Sequence, residues 1–464
     1  MDRKGGVSAM SVDLLLKNGI IVTPSKSFRG NIAVKDGRIA GIGGEEFSVE
    51  ADEVADLGGK HILPGVIDPH VHIGWPSWDW EEDCICTTRT AAVGGVTTVI
   101  HFLNEPLPLH EELSIGIERF ERNAYVDGSF HEGIFTQGQI DEIPDMVETR
   151  GVNTFKFYLP YKGAEAVPPL VGIDDGIIYA GFKEIGKLKE KARALIHAEN
   201  IEIFYKIKEQ MQASGEDASA YWTDTRPNWV EVESIRKVVA FAKGTGCPLY
   251  LVHLTTKEAK EEILRARAEG VDVIGETCPQ YLVLNVENTD RVKSKVNPPL
   301  RHREDNEAMW QAIQEGVITC IGTDHASVAL KDKQDFWDGI VGFAGLETTL
   351  PVLLSEGVNK GRISIEKVAE ITSYNVAKTF GLYPQKGSIE VGADADFAVV
   401  DLEMEKAYSV RESPNITDYS PYDGMVFKGW PIQTYLRGRL IFDHGTILGE
   451  KGAGKFIPRF SAQK

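Results

Sequence analysis

Two histidines one residue apart, His70 and His72, end the apolar stretch that runs through Ile62-Leu63 and Val66-Ile67. In a strand, residues i and i+2 share one side, so both imidazoles can face one metal ion. A lone His-x-His arises by chance, and its meaning depends on what other strand ends supply. Downstream apolar runs end in His197, His253 and Asp324, and the run Thr154–Tyr158 carries Lys156. Taken singly, each has an ordinary explanation: a histidine satisfied by hydrogen bonds, an aspartate capping a loop, a lysine that escapes to the rim or pairs with a carboxylate such as Glu199. A lysine inside an apolar run must nevertheless lose its charge or find a partner.

One chemistry uses all six residues. Imidazole and carboxylate suit zinc. A desolvated, neutral lysine amine reacts with carbon dioxide to give a carbamate, an anionic ligand with two oxygens that can bridge two ions. His70, His72 and Asp324 would hold one ion with one carbamate oxygen, and His197, His253 and the other oxygen would hold the second. A bridging hydroxide, its pKa lowered by the two cations, completes the set.

The elements that must bring these residues together follow from the apolar pattern. Eight short runs, at 62–68, 97–102, 130–135, 154–158, 194–197, 248–253, 271–276 and 317–323, alternate with longer stretches. Several of those stretches are amphipathic, at 179–192, 230–243, 256–269 and 305–315. Alternation of strand and helix reads as parallel β/α, and eight repeats favour a closed (β/α)8 TIM barrel, whose chemistry sits at the C-terminal ends of the strands. Both chain ends lack helical periodicity. Lys17-Asn18-Gly19 and Lys35-Asp36-Gly37 are hairpin turns between short strands, and similar strands return near 395–401 and 431–442. The expected organisation is a smaller β-sheet domain from residues 11–61 plus 390–464, around a catalytic barrel at 62–389.

Composition narrows the partners. The chain has 464 residues, 42% hydrophobic and 26% charged, with a formal net charge of -19. That charge disfavours nucleic acid and anionic membranes. No apolar run approaches the ~20 residues that span a bilayer, and the polar, Gly-rich first residues do not resemble a secretory signal. Five cysteines, an odd number without zinc-type pairing, fit a reducing cytoplasm. Cys84-Ile85-Cys86 could pair on a metal, but packing is the simpler reading beside an all-nitrogen-and-oxygen site.

The chain resembles the amidohydrolase superfamily, in its branch of hydantoinases, dihydropyrimidinases, allantoinases and dihydroorotases. The resemblance runs from Leu14 to about Arg459. It is carried by Pro64-Gly65-Val66-Ile67-Asp68-Pro69-His70-Val71-His72, Ala92-Val93-Gly94-Gly95-Val96-Thr97-Thr98, Phe155-Lys156, His197-Ala198-Glu199-Asn200 and Leu249-Tyr250-Leu251-Val252-His253. Glu276-Thr277-Cys278-Pro279-Gln280-Tyr281, Asn297-Pro298-Pro299-Leu300-Arg301 and Thr323-Asp324-His325 complete it.

It implies the barrel, a flanking β-sandwich, two zinc ions bridged by a carboxylated Lys156, and hydrolysis of a cyclic amide. A homotetramer or homodimer is implied as well. Tyr161, five residues after the lysine, corresponds to a substrate-contacting tyrosine of hydantoinases and dihydropyrimidinases, and Asn297 would offer backbone groups to the substrate. Asp324 would take the proton of the attacking hydroxide and pass it to the departing ring nitrogen.

Gly74 stands where dihydroorotases carry an arginine, which argues against that activity. Leu103-Asn104 and the segment 342–348 look more like allantoinases, so opening of allantoin is the second reading. The third is a non-catalytic scaffold, a role for which relatives have lost ligand positions; all six stand here. Trp75, Trp78 and Trp80 depart from every branch and form either an apolar wall for a bulky substituent or a packing cluster.

Overall fold

The computed structural model describes residues 11–74, 76–215 and 221–459. Its larger part is a closed parallel barrel, as the apolar runs imply. The strands are Val66–His72, Val96–Leu103, Asp127–Gly133, Thr154–Tyr158, Arg193–His197, Leu249–Leu251, Val273–Thr277 and an eighth in two pieces, Ile318–Ile321 and His325–Ala326. Strands covered on both faces read as continuous hydrophobic runs, and the first, second and fourth are buried along their whole lengths.

Closure depends on the broken eighth strand. Its first piece pairs with the seventh, and its second piece pairs in parallel with the first, His325 opposite Val71 and Ala326 opposite His72. Asp324 lies in the break with φ of 54°. That left-handed backbone is unusual for a residue with a Cβ, and it interrupts the strand where the barrel is sealed.

The amphipathic stretches form the helices Asp175–Leu188, Asn228–Thr245, Lys257–Ala268 and Arg303–Gln314. The first begins earlier than its apolar pattern because the Asp174 side chain accepts the amide of Ile177. It stops at Leu188 because Lys189 turns to a φ of 52°.

Two expectations are corrected. The run 62–68 is two strands, not one. His61–Pro64 belongs to the second sheet, pairing with Val12–Val22 and Phe397–Ala407, and only Val66–His72 enters the barrel. The chain crosses between sheets at Gly65, where a Cβ would lie 2.2 Å from Thr97 Oγ1, so apolar pattern alone does not reveal the crossing. The third strand starts at Asp127 rather than 130. Its polar first residue is buried because Lys386 Nζ lies 2.8 Å from its carboxylate and Arg437 also pairs with it.

Among the described residues the second sheet has nine strands and is mixed. It draws on 12–64 and 397–447 and has its own apolar core, including Leu16, Ile32, Ile62, Phe397 and Val399. The barrel and this sheet are tied by the Lys386 ammonium, 2.8 Å from Asp127 of the barrel and 2.6 Å from Asp396 beside the sheet. The last described residues leave the sheet and return beneath the barrel. Ile457 donates to the Gly128 carbonyl at 2.7 Å, and the buried Arg459 donates to Thr154 Oγ1 at 2.7 Å.

Candidate metal centre

The six candidate ligands, Tyr161 and Asn297 line one cavity at the C-terminal end of the barrel. His70 and His72 end the first strand. Their Nε2 atoms each lie 3.2 Å from Asp324 Oδ1, which the broken eighth strand delivers from the other side of the seam. Across the cavity, His197 Nδ1 and His253 Nε2 face each other at 3.1 Å. His253, like Asp324, sits at a strand end with positive φ, 39°. Two chemically important residues thus hold left-handed backbones at the rim, the kind of local strain that surrounding structure must enforce.

These spacings suit metal. Zinc–nitrogen bonds of 2.0–2.1 Å in tetrahedral geometry put neighbouring ligand atoms about 3.3 Å apart, close to the separations in both groups. The buried His70 Nε2 has no hydrogen-bond partner. Burial holds the imidazoles of His70, His197 and His253 below the usual histidine range, so each stays in the neutral form that binds cations.

Lys156 lies between the two groups. Its amine is fully buried, has no hydrogen-bond partner, and sits 4.8 Å from the Phe102 ring centroid and 5.0 Å from that of Tyr158. Burial pulls its pKa down to about 7, against the opposing pull of Asp324 and Glu276. It neither escapes to the rim nor pairs with Glu199, which is engaged elsewhere.

Two acids that orient the histidines escaped the sequence reading of the site. Glu276 Oε1 lies 2.7 Å from His70 Nδ1 and accepts the backbone amide of His253 at 3.0 Å, while its Oε2 accepts the Tyr250 hydroxyl at 2.8 Å. Burial raises this carboxyl to about 8. Glu199 Oε2 lies 2.7 Å from His197 Nε2, which leaves Nδ1 for the cavity. Despite burial, its bonds to His197 and the nearby Arg226 keep Glu199 below the usual carboxylate range. His70 and His197 are thereby turned by a carboxylate on the far nitrogen, a common arrangement for metal-binding imidazoles, while Glu276 holds His253 through its backbone amide. The available signal was an acid inside, or directly after, an apolar run.

The other expected residues divide. Tyr161 lines the cavity, with its ring 5.4 Å from that of His197; burial pushes its phenol pKa up, so it keeps its proton. Asn297 is held by Trp222, whose indole donates to its Oδ1 at 2.8 Å, while its buried Nδ2 has no hydrogen-bond partner. His325 points away from the ions' place and accepts the amide of Gly345 at 3.3 Å, anchoring the segment that follows. Asn104 accepts the Tyr158 hydroxyl at 2.9 Å. Trp75 lies outside the described residues. Trp78 and Trp80 are half-buried and do not line the cavity. Trp80 packs beneath the Arg119 guanidinium at 4.5 Å, so its role is packing rather than a substrate wall.

Imidazoles and a carboxylate gathered at the C-terminal rim of a parallel barrel form a set that could hold a metal ion, at the face where such barrels place their chemistry. The sequence matches the amidohydrolase family over residues 189–441 and the dihydro-orotase-like family over residues 59–259, and the chain belongs to the amidohydrolase family. It is 33% identical to the L-hydantoinase of Paenarthrobacter aurescens, over 96% of this chain and 98% of that protein. It is 34% identical to the allantoinase of Bacillus licheniformis, over 97% of this chain and 100% of that protein. The solved L-hydantoinase (dihydropyrimidinase) from Arthrobacter aurescens matches with a TM-score of 0.90 at 33% identity, covering 97% of this chain and 100% of that one. Among the described residues, no helix is long and apolar enough to cross a membrane.

Proposed function

We propose that the protein is a zinc-dependent cyclic amidohydrolase that opens the ring amide of a hydantoin, a dihydropyrimidine or a related cyclic ureide or imide to an N-carbamoyl amino acid. The observation that carries this reading is the convergence of His70, His72 and Asp324 with His197 and His253 on either side of a buried, unpartnered Lys156. The first three would hold one zinc ion and the other two a second. Lys156, as N6-carboxylysine, would offer one oxygen to each, and a neutral amine is the form that adds carbon dioxide. When bound, two such ions supply Lewis acidity and activate water at neutral pH.

The chain's own groups then divide the work. Tyr161 keeps its phenolic proton and donates it as a hydrogen bond to the substrate carbonyl oxygen as negative charge develops there. Asp324 accepts the proton of the attacking water and returns it to the departing ring nitrogen. Asn297, its side chain anchored on Trp222, presents backbone groups to the ureide.

The 34% identity to an allantoinase favours a second reading, opening of allantoin by the same residues. The separate apolar core of the second sheet supports a smaller domain from residues 11–61 plus 390–464 around a catalytic barrel at 62–389, with His61–Pro64 joining the smaller domain. The kinship with hydantoinases supports a homotetramer or homodimer. Five free cysteines support a cytoplasmic location.

The test is zinc-loaded protein assayed against 5-substituted hydantoins, dihydrouracil and allantoin, with metal counted by elemental analysis. Turnover of a cyclic ureide that disappears on chelation is expected. Full activity in protein free of metal would overturn the reading.

A further inference from the structure

Arg226 is not among the candidate ligands, yet it is one of the largest fully buried side chains of the protein. A guanidinium removed from water needs opposite charge and hydrogen bonds to compensate. Its Nε lies 3.6 Å from Glu199 Oε1, and one terminal nitrogen lies 3.5 Å from Glu165 Oε2. Its other terminal nitrogen donates to Thr225 Oγ1 at 3.1 Å. The guanidinium lies over Phe204, 3.6 Å from the ring centroid, and 4.6 Å from that of Trp222. Neither Arg226 Nε nor Glu199 Oε1 has a hydrogen-bond partner; their nearest opposite charge is each other. Glu199 therefore has one oxygen on the arginine and the other on His197 Nε2.

We infer that Arg226 is a positioning residue for the His197 side of the metal centre, acting through Glu199. A carboxylate gripped at one oxygen only can swing about its Cγ–Cδ bond. Held by a hydrogen bond at Oε2 and by the Arg226 charge 3.6 Å from Oε1, it fixes the imidazole so that Nδ1 faces His253 Nε2. The grip is itself braced from outside, because Glu165, the second acid on the arginine, is 3.8 Å from Lys208. A purely packing role for Arg226 predicts something different: general loss of stability, with both ions affected alike. The inference rests on the two-ion reading proposed above.

Arg226→Met keeps an apolar stem of similar length and removes the charged fork. Wild type and variant are stripped of metal, reloaded with zinc, and titrated with a chromophoric chelator, with His197→Ala as the reference for loss of the His197-side ion. Wild type should hold two ions. The variant should hold the His70-side ion as wild type does and bind the other about 10–100-fold more weakly, the usual effect of removing an outer partner of a ligand. Arg226→Lys keeps the charge without the planar fork and should weaken the same ion, by less. Unchanged affinity for both ions in Arg226→Met, or equal weakening of both, overturns the inference. Where Arg226→Met does not fold, wild-type affinity for both ions in Arg226→Lys overturns it. Failure of the underlying reading is seen separately, as wild-type protein that binds fewer than two ions.

Discussion

The burial of Lys156 makes a prediction that runs against the usual sense of mutating a functional residue. Its amine has no hydrogen-bond partner and is closed in by Phe102 and Tyr158. Its pKa falls from 10.5 to about 7. Because the folded value lies below the unfolded one, protonation favours the unfolded chain. The cost is full below pH 7 and fades as the pH rises toward 10.5. A shift of that size corresponds to about 4 kcal/mol at pH 7 and about 1 kcal/mol at pH 9.5, against total stabilities of roughly 5–15 kcal/mol for domains. Lys156→Met fills similar space without a charge. The metal-free variant should therefore resist urea better than metal-free wild type at pH 7, with the advantage shrinking by about 3 kcal/mol on going to pH 9.5. The same variant should lose metal and activity. Urea unfolding of chelator-treated proteins at the two pH values measures the effect. A Lys156→Met protein less stable than wild type at both, with a gap that pH does not change, would show that the amine is not held against its charge.

Further outcomes follow from the same geometry. His253→Ala should bind about one ion fewer per chain and lose rate in parallel; full metal content and full rate would remove His253 from the site. Asp324→Asn, loaded with metal, should lose roughly 10²–10⁴-fold in kcat, the range for a general acid–base group; a near-normal kcat would mean that another base acts. Tyr161→Phe should retain its metal and lose about 10²-fold or more in kcat, as removal of one donor to a developing oxyanion does; an unchanged kcat would place the substrate carbonyl elsewhere. Glu276→Ala should weaken the His70-side ion about 10–100-fold, and chelator competition on the purified variant would detect an absence of that effect.

Much of this architecture was legible in the chain because parallel strands buried on both faces leave apolar runs, and the candidate ligands stand at the ends of those runs. What escaped has physical reasons. His61–Pro64 and Val66–His72 share one apolar pattern, and nothing in it marks the change of sheet at Gly65. The break in the eighth strand depends on a left-handed Asp324, a conformation that glycine would have announced and aspartate does not. Glu276 orients His70 from 206 residues away, and Arg226 reaches His197 only through Glu199, so each role exists only once the chain has closed on itself. The three tryptophans drew attention by their spacing, yet Trp80 packs under Arg119 of the neighbouring helix.

The strand His61–Pro64 lies between one made early, Val12–Val22, and one made late, Phe397–Ala407. On the ribosome its outer edge, with Ile62 and Leu63, waits for a partner more than 330 residues downstream. At about 5–20 residues per second, that wait is roughly 15–65 s. An unpaired apolar edge is a template for other chains, so the nascent protein is most vulnerable until about its last seventh is made. Chains ending anywhere between Gly65 and Asp396 keep that edge open for good, and such fragments should collect in aggregates rather than persist as a small folded sheet.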